Sequence, residues 1–263
     1  MRNWSELRNT SGAQEGSDTY KSPLSTYSAL MHRPLFFLAL AILPGCSSEP
    51  STPQAQLAKG DRLLAKGDTA NAQVSYRLAL AQDSLNPDIL ARLGRIYAGQ
   101  GKVEPADIYL RRAADLTYQR GLGALKAGDQ AGARTAFAHT LAIIPAHPLA
   151  LLRLGDLCLA EGQDGEALSY FEQAIQANPG YPEGYVKAGK LYLRQQRLAE
   201  ARRSFEQSIE LNINSLDAYL GLGELFRLQN DPDAAAGQFR NALLIDPRSS
   251  AAKEALAQLS APR

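Results

Sequence analysis

The chain has 263 residues, with 28 Lys and Arg against 27 Asp and Glu, so its formal net charge is +1. That balance gives no support for a phosphate-binding surface, and we expect no nucleic acid among the partners. Hydrophobic residues make up 45% of the chain, which is enough to form a core and argues against disorder throughout. Two cysteines and three histidines cannot build a zinc cluster or a disulfide scaffold, so we expect no metal site. We also expect no cofactor and no small-molecule substrate.

Residues 1–30 are polar and rich in Ser and Thr. They place the first apolar run of the chain far from its N-terminus, whereas the apolar core of a signal peptide lies close to the N-terminus. We therefore interpret Met31 as the true start and residues 1–30 as a misassigned or disordered extension. A genuine cytoplasmic N-terminal extension is the alternative.

Residues 31–46 read MHRPLFFLALAILPGC, in which His32 and Arg33 precede an apolar run of nine residues. Such a run is too short to span a bilayer as a helix, but it suits the core of a signal peptide. The run ends in Leu43-Pro44-Gly45-Cys46. This ending resembles the lipobox of bacterial lipoproteins, so residues 31–46 are expected to be a lipoprotein signal peptide.

The lipobox resemblance implies that the peptide is cut before Cys46, and that the thiol and the new amino group of Cys46 become acylated. Several acyl chains would anchor the protein stably in a membrane. Pro44 departs from the usual Ala or Ser, which implies slower cleavage. Ser47 in place of Asp implies sorting to the periplasmic face of the outer membrane, and residues 47–52 read as a tether. An ordinary secretory signal and a short transmembrane anchor remain alternatives.

From Pro53 onward the sequence repeats itself. One glycine recurs in each unit: Gly60, Gly94, Gly121, Gly155, Gly189 and Gly223. The intervals between these glycines are 34, 27, 34, 34 and 34 residues. Twelve residues after each glycine stands an alanine: Ala72, Ala106, Ala133, Ala167, Ala201 and Ala235. Four residues further on stands a large apolar side chain: Tyr76, Leu110, Phe137, Phe171, Phe205 and Phe239.

This spacing is similar to the tetratricopeptide repeat, a 34-residue unit of two antiparallel helices. The resemblance implies an all-α fold, a right-handed superhelical solenoid of about six helix-turn-helix repeats within residues 53–260. The expected repeats and the C-terminal capping helix are 53–86, 87–113, 114–147, 148–181, 182–215, 216–249 and 250–260.

The third unit is irregular, because it lacks seven residues, close to two helical turns. No proline or turn cluster lies between Asp107 and Lys126. We therefore predict that the second helix of unit two continues into the first helix of unit three.

The turn inside each repeat is expected to need a left-handed backbone seven residues after the repeat glycine. Glycine, which takes that conformation freely, stands there in four units. The residues at this position are Gly67, Gly101, Gly128, Gly162, Gln196 and Asn230.

No residue set indicates catalysis. The chain has no G-x-S-x-G sequence, and Gly121-Leu122-Gly123 stands inside a predicted helix without a phosphate-loop pattern. His139 and His147 read as surface or loop residues. Cys158 stands at an apolar repeat position, so we expect it to be buried and structural. The chain is expected not to be an enzyme.

In the tetratricopeptide family the concave face is lined by the first helix of each repeat, at residues three before, one after and four after the glycine. The candidate peptide-binding residues are Leu57, Asp61, Leu64, Arg95, Tyr118, Leu122, Leu152, Asp156, Leu159, Val186, Lys190, Leu193, Leu220, Glu224 and Arg227. We expect a leucine-rich, solvent-facing groove for an apolar segment of a protein partner. The alternative is that some of these leucines are core residues. The Lys, Asn and Arg set of the chaperone-binding carboxylate clamp is not present.

The length and layout resemble bacterial outer-membrane lipoproteins built of such repeats. This resemblance implies a non-enzymatic scaffold of the cell envelope, first of all in the assembly of a type IV or Flp pilus or of a secretion complex. The alternative is an adaptor that recruits an envelope protease or polysaccharide-export machinery.

Overall fold

The computed structural model describes residues 52–260, and within them the chain is entirely helical, with no strand. The helices are α1 Pro53–Ala65, α2 Thr69–Gln82, α3 Pro87–Gly99, α4 Val103–Lys126, α5 Gln130–Ile143, α6 Pro148–Ala160, α7 Asp164–Ala177, α8 Pro182–Arg194, α9 Leu198–Leu211, α10 Leu216–Leu228, α11 Pro232–Ile245 and α12 Ser250–Ser260. The proposed extension, the signal peptide with Cys46 and nearly all of the tether lie outside these residues. In the described part of the chain, no helix combines the length and the apolar character needed to cross a bilayer.

The helices pack as neighbours in chain order and form an all-α repeat superhelix. Each repeat is a helical hairpin: α1 with α2, α6 with α7, α8 with α9, and α10 with α11. The long helix α4 serves two repeats, because it packs against α3 on one part of its length and against α5 on the other. The last helix, α12, packs on α11 and stands where the sequence predicts a capping helix.

Helix ends follow from residues that stop or start a helix. Four first helices begin with proline at the first helical position, where its missing N–H costs nothing. Three second helices end two residues before Pro145, Pro179 and Pro247. The intervening residue is extended in each case, as expected before proline.

The turn inside each repeat is left-handed, as predicted. All four glycines at this position have a φ between +73° and +80°, while Gln196 and Asn230 have φ of 60° and 58°. After α1, the N–H of Asp68 donates to the carbonyl of Leu63 and that of Gly67 to the carbonyl of Leu64. These two bonds satisfy carbonyls that the helix end leaves open.

The repeat glycine allows the two helices of a hairpin to approach each other closely. A Cβ atom at Gly155 would lie 2.4 Å from the ring of Phe171, and the same holds at Gly121 with Phe137. Both rings are fully buried. The ring of Phe205 also reaches Gly221 of the following repeat, so an aromatic side chain fills the space between units as well as within one.

Helix α4 is continuous over 24 residues, which confirms the prediction that unit two runs into unit three. Its contact residues fall at helical spacing on one stripe, which faces α3 and then α5. These residues are Ala106, Leu110, Ala113, Thr117 and Gly121. In the middle of the stripe, the buried Thr117 hydroxyl bonds to the carbonyl of Ala114 at 2.9 Å and lies 2.9 Å from the hydroxyl of Thr140 on α5. The buried hydroxyls of Thr117 and Thr140 therefore both have hydrogen-bond partners at the contact between α4 and α5.

The continuity of α4 predicts opposite effects of proline at two exposed positions. Gln119→Pro, inside α4, should lower the free energy of unfolding by about 3 kcal/mol or more, because it removes a helical hydrogen bond and clashes with the preceding turn. Ile213→Pro, in the α9–α10 turn, should be neutral or stabilising by up to about 1 kcal/mol. Asn212 before it is already extended, as are the residues before the native turn prolines.

Urea denaturation of both variants measures the two effects. Equal destabilisation, or a tolerated proline at position 119, would contradict a continuous helix in this part of the protein.

Candidate protein-binding surface

The candidate residues three before the repeat glycine are not an open surface. Leu152 is fully buried, and Tyr118 and Val186 are 8% and 7% exposed. The expectation that these three line a groove is therefore wrong. Residues three apart lie on the same side of a helix, so Leu152 faces the same way as Gly155, toward the core that contains Phe171. Leu57 and Leu220, at the same register in the first and last repeats, are half-buried.

The candidate residues one and four after the glycine do reach solvent, and we call them the first-helix surface. They are Asp61, Leu64, Arg95, Leu122, Asp156, Leu159, Lys190, Leu193, Glu224 and Arg227. Lys190 and Arg227 are exposed, and Leu64 is 41% exposed. Leu122, Leu159 and Leu193 are half-buried and pack against the cores between helices. The surface is therefore a mixed polar surface with leucine edges, rather than the leucine-rich groove that the sequence predicts.

Three charged residues of this surface, Asp61, Asp156 and Lys190, are each paired with a charge on the neighbouring repeat. Asp61 on α1 accepts from the guanidinium of Arg92 on α3 at 3.0 Å and from the hydroxyl of Tyr76 at 2.7 Å. Partial burial raises the pKa of Asp61, but these hydrogen bonds outweigh it and bring the pKa below its usual value. Burial and the bond to Asp61 raise the pKa of Tyr76, so that its hydroxyl stays protonated and keeps donating.

Four charges form a closed ring between α6 and α8. Asp156 accepts from Arg153 at 2.9 Å and from Lys187 at 2.7 Å. Glu183 lies 3.7 Å from Arg153 and 3.4 Å from Lys187. All four side chains are between 24% and 35% exposed, and two positive charges balance two negative ones. The ring joins two repeats and leaves no net charge for a ligand.

The remaining charges of the first-helix surface have partners too. Lys190 on α8 donates to Asp217 on α10 at 2.7 Å, and Arg227 donates to Glu224 at 2.7 Å. Arg95 instead donates to the carbonyl of Ala142 at 3.2 Å, near the C-terminal end of α5. This contact follows from the continuous α4, which places α3 and α5 on the same stripe. Arg95 therefore links unit two to unit three by a hydrogen bond.

The residues two positions before the repeat glycine belong to this surface as well, although the family pattern does not predict them there. Arg92, Arg153 and Lys187 occupy this register, and each pairs with an acidic residue of the first-helix surface. The repeat alignment contains the signal, since a basic residue recurs there in three units. Pairing of opposite charges across 31 residues is visible only when the repeats are superimposed.

Cys158 is fully buried, as predicted from its repeat position. Its sulfur lies 3.7 Å from a guanidinium nitrogen of Arg134 on α5 and 3.8 Å from a carboxylate oxygen of Glu166 on α7. Arg134 is itself held by Glu161 at 2.7 Å. Within the described residues, no three His, Cys, Asp or Glu side chains are placed to hold a metal ion.

The partly buried ring predicts a measurable coupling between Asp156 and Lys187. In a double-mutant cycle with Asp156→Asn and Lys187→Gln, we expect a coupling of about 0.5–1 kcal/mol in the free energy of unfolding. The exposed pair Asp107 and Arg111, whose side chains are 53% and 70% exposed, is the matched control. Its coupling should stay below about 0.5 kcal/mol and vanish in salt. A larger coupling in the control pair would refute the structural importance of the ring.

Comparison with known proteins places the chain within a family. Tetratricopeptide repeat patterns match residues 57–117, 118–182 and 186–252, and a second pattern of the same description matches residues 159–210. No curated protein matches the chain in sequence. Proteins of this repeat class are generally non-catalytic scaffolds for protein–protein interaction.

Two solved structures are similar in fold. A chain of the APC/C hetero-tetramer Cut9–Hcn1 has a TM-score of 0.52 and 16% identity, over 81% of this chain and 44% of that chain. This protein thus spans less than half of the length of that relative. PilF of Pseudomonas aeruginosa has a TM-score of 0.51 and 20% identity, over 78% of this chain and 97% of that chain. At these identities the likeness shows the fold alone. Because the repeat patterns cover most of its residues, the chain belongs to the tetratricopeptide repeat family.

Proposed function

We propose that the protein is a non-enzymatic scaffold of the bacterial cell envelope, anchored by lipid at Cys46, which binds a protein partner during assembly of a pilus or secretion complex. The observation that carries this proposal is the layout of the sequence. The first repeat helix begins at Pro53, directly after a lipobox-like ending at Cys46 and a short polar segment. Such a layout holds a preformed binding surface close to a membrane.

The repeats support a binding role because their surface is already ordered. A partner that docks on a preformed solenoid does not have to pay for ordering it. On the first-helix surface the charges of Asp156, Lys190 and Glu224 are already neutralised by neighbours, so a strongly charged peptide has little to pair with. The half-buried leucines beside them favour a partner that contributes apolar side chains.

The choice of a pilus or secretion complex rests on the resemblance of the sequence to pilus-assembly lipoproteins. The fold shared with PilF is compatible with this choice. In the Cut9–Hcn1 hetero-tetramer a repeat chain assembles with another protein, which is the kind of contact proposed here.

Site-specific photo-cross-linking in intact cells tests the proposal. A photoreactive residue replaces Leu64, Lys190 or Arg227 on the first-helix surface, all of which are exposed. Matched controls replace the exposed Val74 on α2 and Arg203 on α9. We expect a pilus or secretion component to be captured at the first set and not at the controls.

Cys46→Ser is the control for the anchor, and it should move the protein from the membrane fraction to the soluble fraction. Capture of the same partner from both sets of positions would refute the first-helix surface. A membrane-bound Cys46→Ser variant would refute lipidation at this residue. Capture of an envelope protease or a polysaccharide exporter would favour the alternative adaptor role.

A further inference from the structure

The start of α6 is capped by an imidazole ring. The Nδ1 atom of His147 accepts a hydrogen bond from the backbone N–H of Ala150 at 3.2 Å, and Pro148 follows at the first helical position. In α1 and α3 the same task falls to the side-chain oxygens of Thr52 and Asn86. Those oxygens keep accepting at any ordinary pH. An imidazole accepts only while it is neutral, because the protonated ring has two N–H donors and no acceptor.

His147 also connects α6 to the continuous helix α4. Its ring lies 5.5 Å from the ring of Tyr118, at an interplanar angle of 35°. The first turn of α6 that follows contributes Ala150, Leu151 and Leu152, whose side chains are at most 2% exposed. The cap therefore holds in place a turn that carries part of the core between α5, α6 and α7.

The charges around His147 have opposing effects. Burial lowers the pKa of His147, while the negative charge of Asp115 on α4 and a backbone hydrogen bond act to raise it. From α4, Asp115 and Tyr118 face the ring. Arg153 carries a positive charge on α6 six residues after His147, and its partner Glu183 lies on α8.

We propose that protonation of His147 is a pH-sensitive switch that releases the first turn of α6 from α4. Protonation removes the acceptor for the Ala150 N–H. It also places a positive charge at the N-terminus of α6, where the helix dipole disfavours a cation. The region affected is the junction between the continuous helix and the regular repeats that follow.

The direction of the pH effect follows from which state binds more protons. Because burial favours the neutral ring in the folded protein, the unfolded chain binds the proton more readily between the two pKa values. The cap therefore stabilises the folded protein fully above the pKa of His147 in the unfolded chain, about 6.5. This stabilisation is lost as the pH falls from that value toward the lower pKa of His147 in the folded protein. His139 provides a contrast, because it caps no helix and its Nε2 lies 3.4 Å from Asp88, in a contact between α3 and α5.

Amide hydrogen exchange at pH 8 and pH 5, corrected for intrinsic rates, tests the switch. In the wild-type protein the protection of Ala150 and Leu151 should fall several-fold at pH 5. His147→Asn supplies a capping oxygen that does not titrate, so protection should stay equal at both pH values. His139→Asn is the matched control and should behave like the wild type.

Unchanged protection of the wild-type protein at pH 5 would overturn the proposal, as would the same pH dependence in His147→Asn. If His147→Asn fails to fold, the imidazole ¹⁵N spectrum of the wild-type protein decides. We expect the proton on Nε2 at pH 8, and a proton on Nδ1 at that pH would exclude the capping bond.

Discussion

Close contact between a glycine on the first helix and a large ring on the second is the constraint on which the other features of this fold depend. Where Gly155 meets Phe171, a Cβ atom would stand 2.4 Å from the ring. Because the helices can come this near, the ring is sealed from water, and burial of such a side chain is worth about 2–3 kcal/mol. Repetition of this contact sets the spacing of the hairpins. It also forces the residues near each glycine into the core, which is why Leu152 is not available to a ligand.

The same contact explains how the chain tolerates the loss of seven residues in unit three. Seven residues make almost two full helical turns, so the buried stripe keeps its direction when the turn between two helices is replaced by continuous helix. Gly121 then still meets Phe137. The cost is local, since α3 and α5 now share the stripe on α4. Their ends meet through Arg95 with Ala142 and through Asp88 with His139. Arg95, which stands at a solvent-facing register of the repeat, thereby becomes structural.

Pairing of charges between repeats decides what kind of partner the first-helix surface suits. In an extended stack each repeat contacts only its neighbours, so stability depends on these interfaces. Asp61 with Arg92 and Asp156 with Lys187 tie successive first helices together. Each pair uses charges that would otherwise attract a ligand. The surface that remains has little free charge, and binding on it depends on shape and apolar contact.

The sequence alone determined the repeat, the helices, the left-handed turns and the continuous α4. Each of these follows from local rules: helical spacing, the freedom of glycine, the stiffness of proline, and a deletion that nearly equals two turns. It also predicted the burial of Cys158, which needs only the register of one position. The tertiary structure alone decided which first-helix residues face solvent. Whether Leu152 or Val186 is open depends on how closely the next helix packs, and Lys187, one of the two partners of Asp156, comes from a repeat 31 residues away. Contacts between residues far apart in the sequence determine both the burial of these side chains and the pairing of Asp156. No local sequence pattern predicts such contacts.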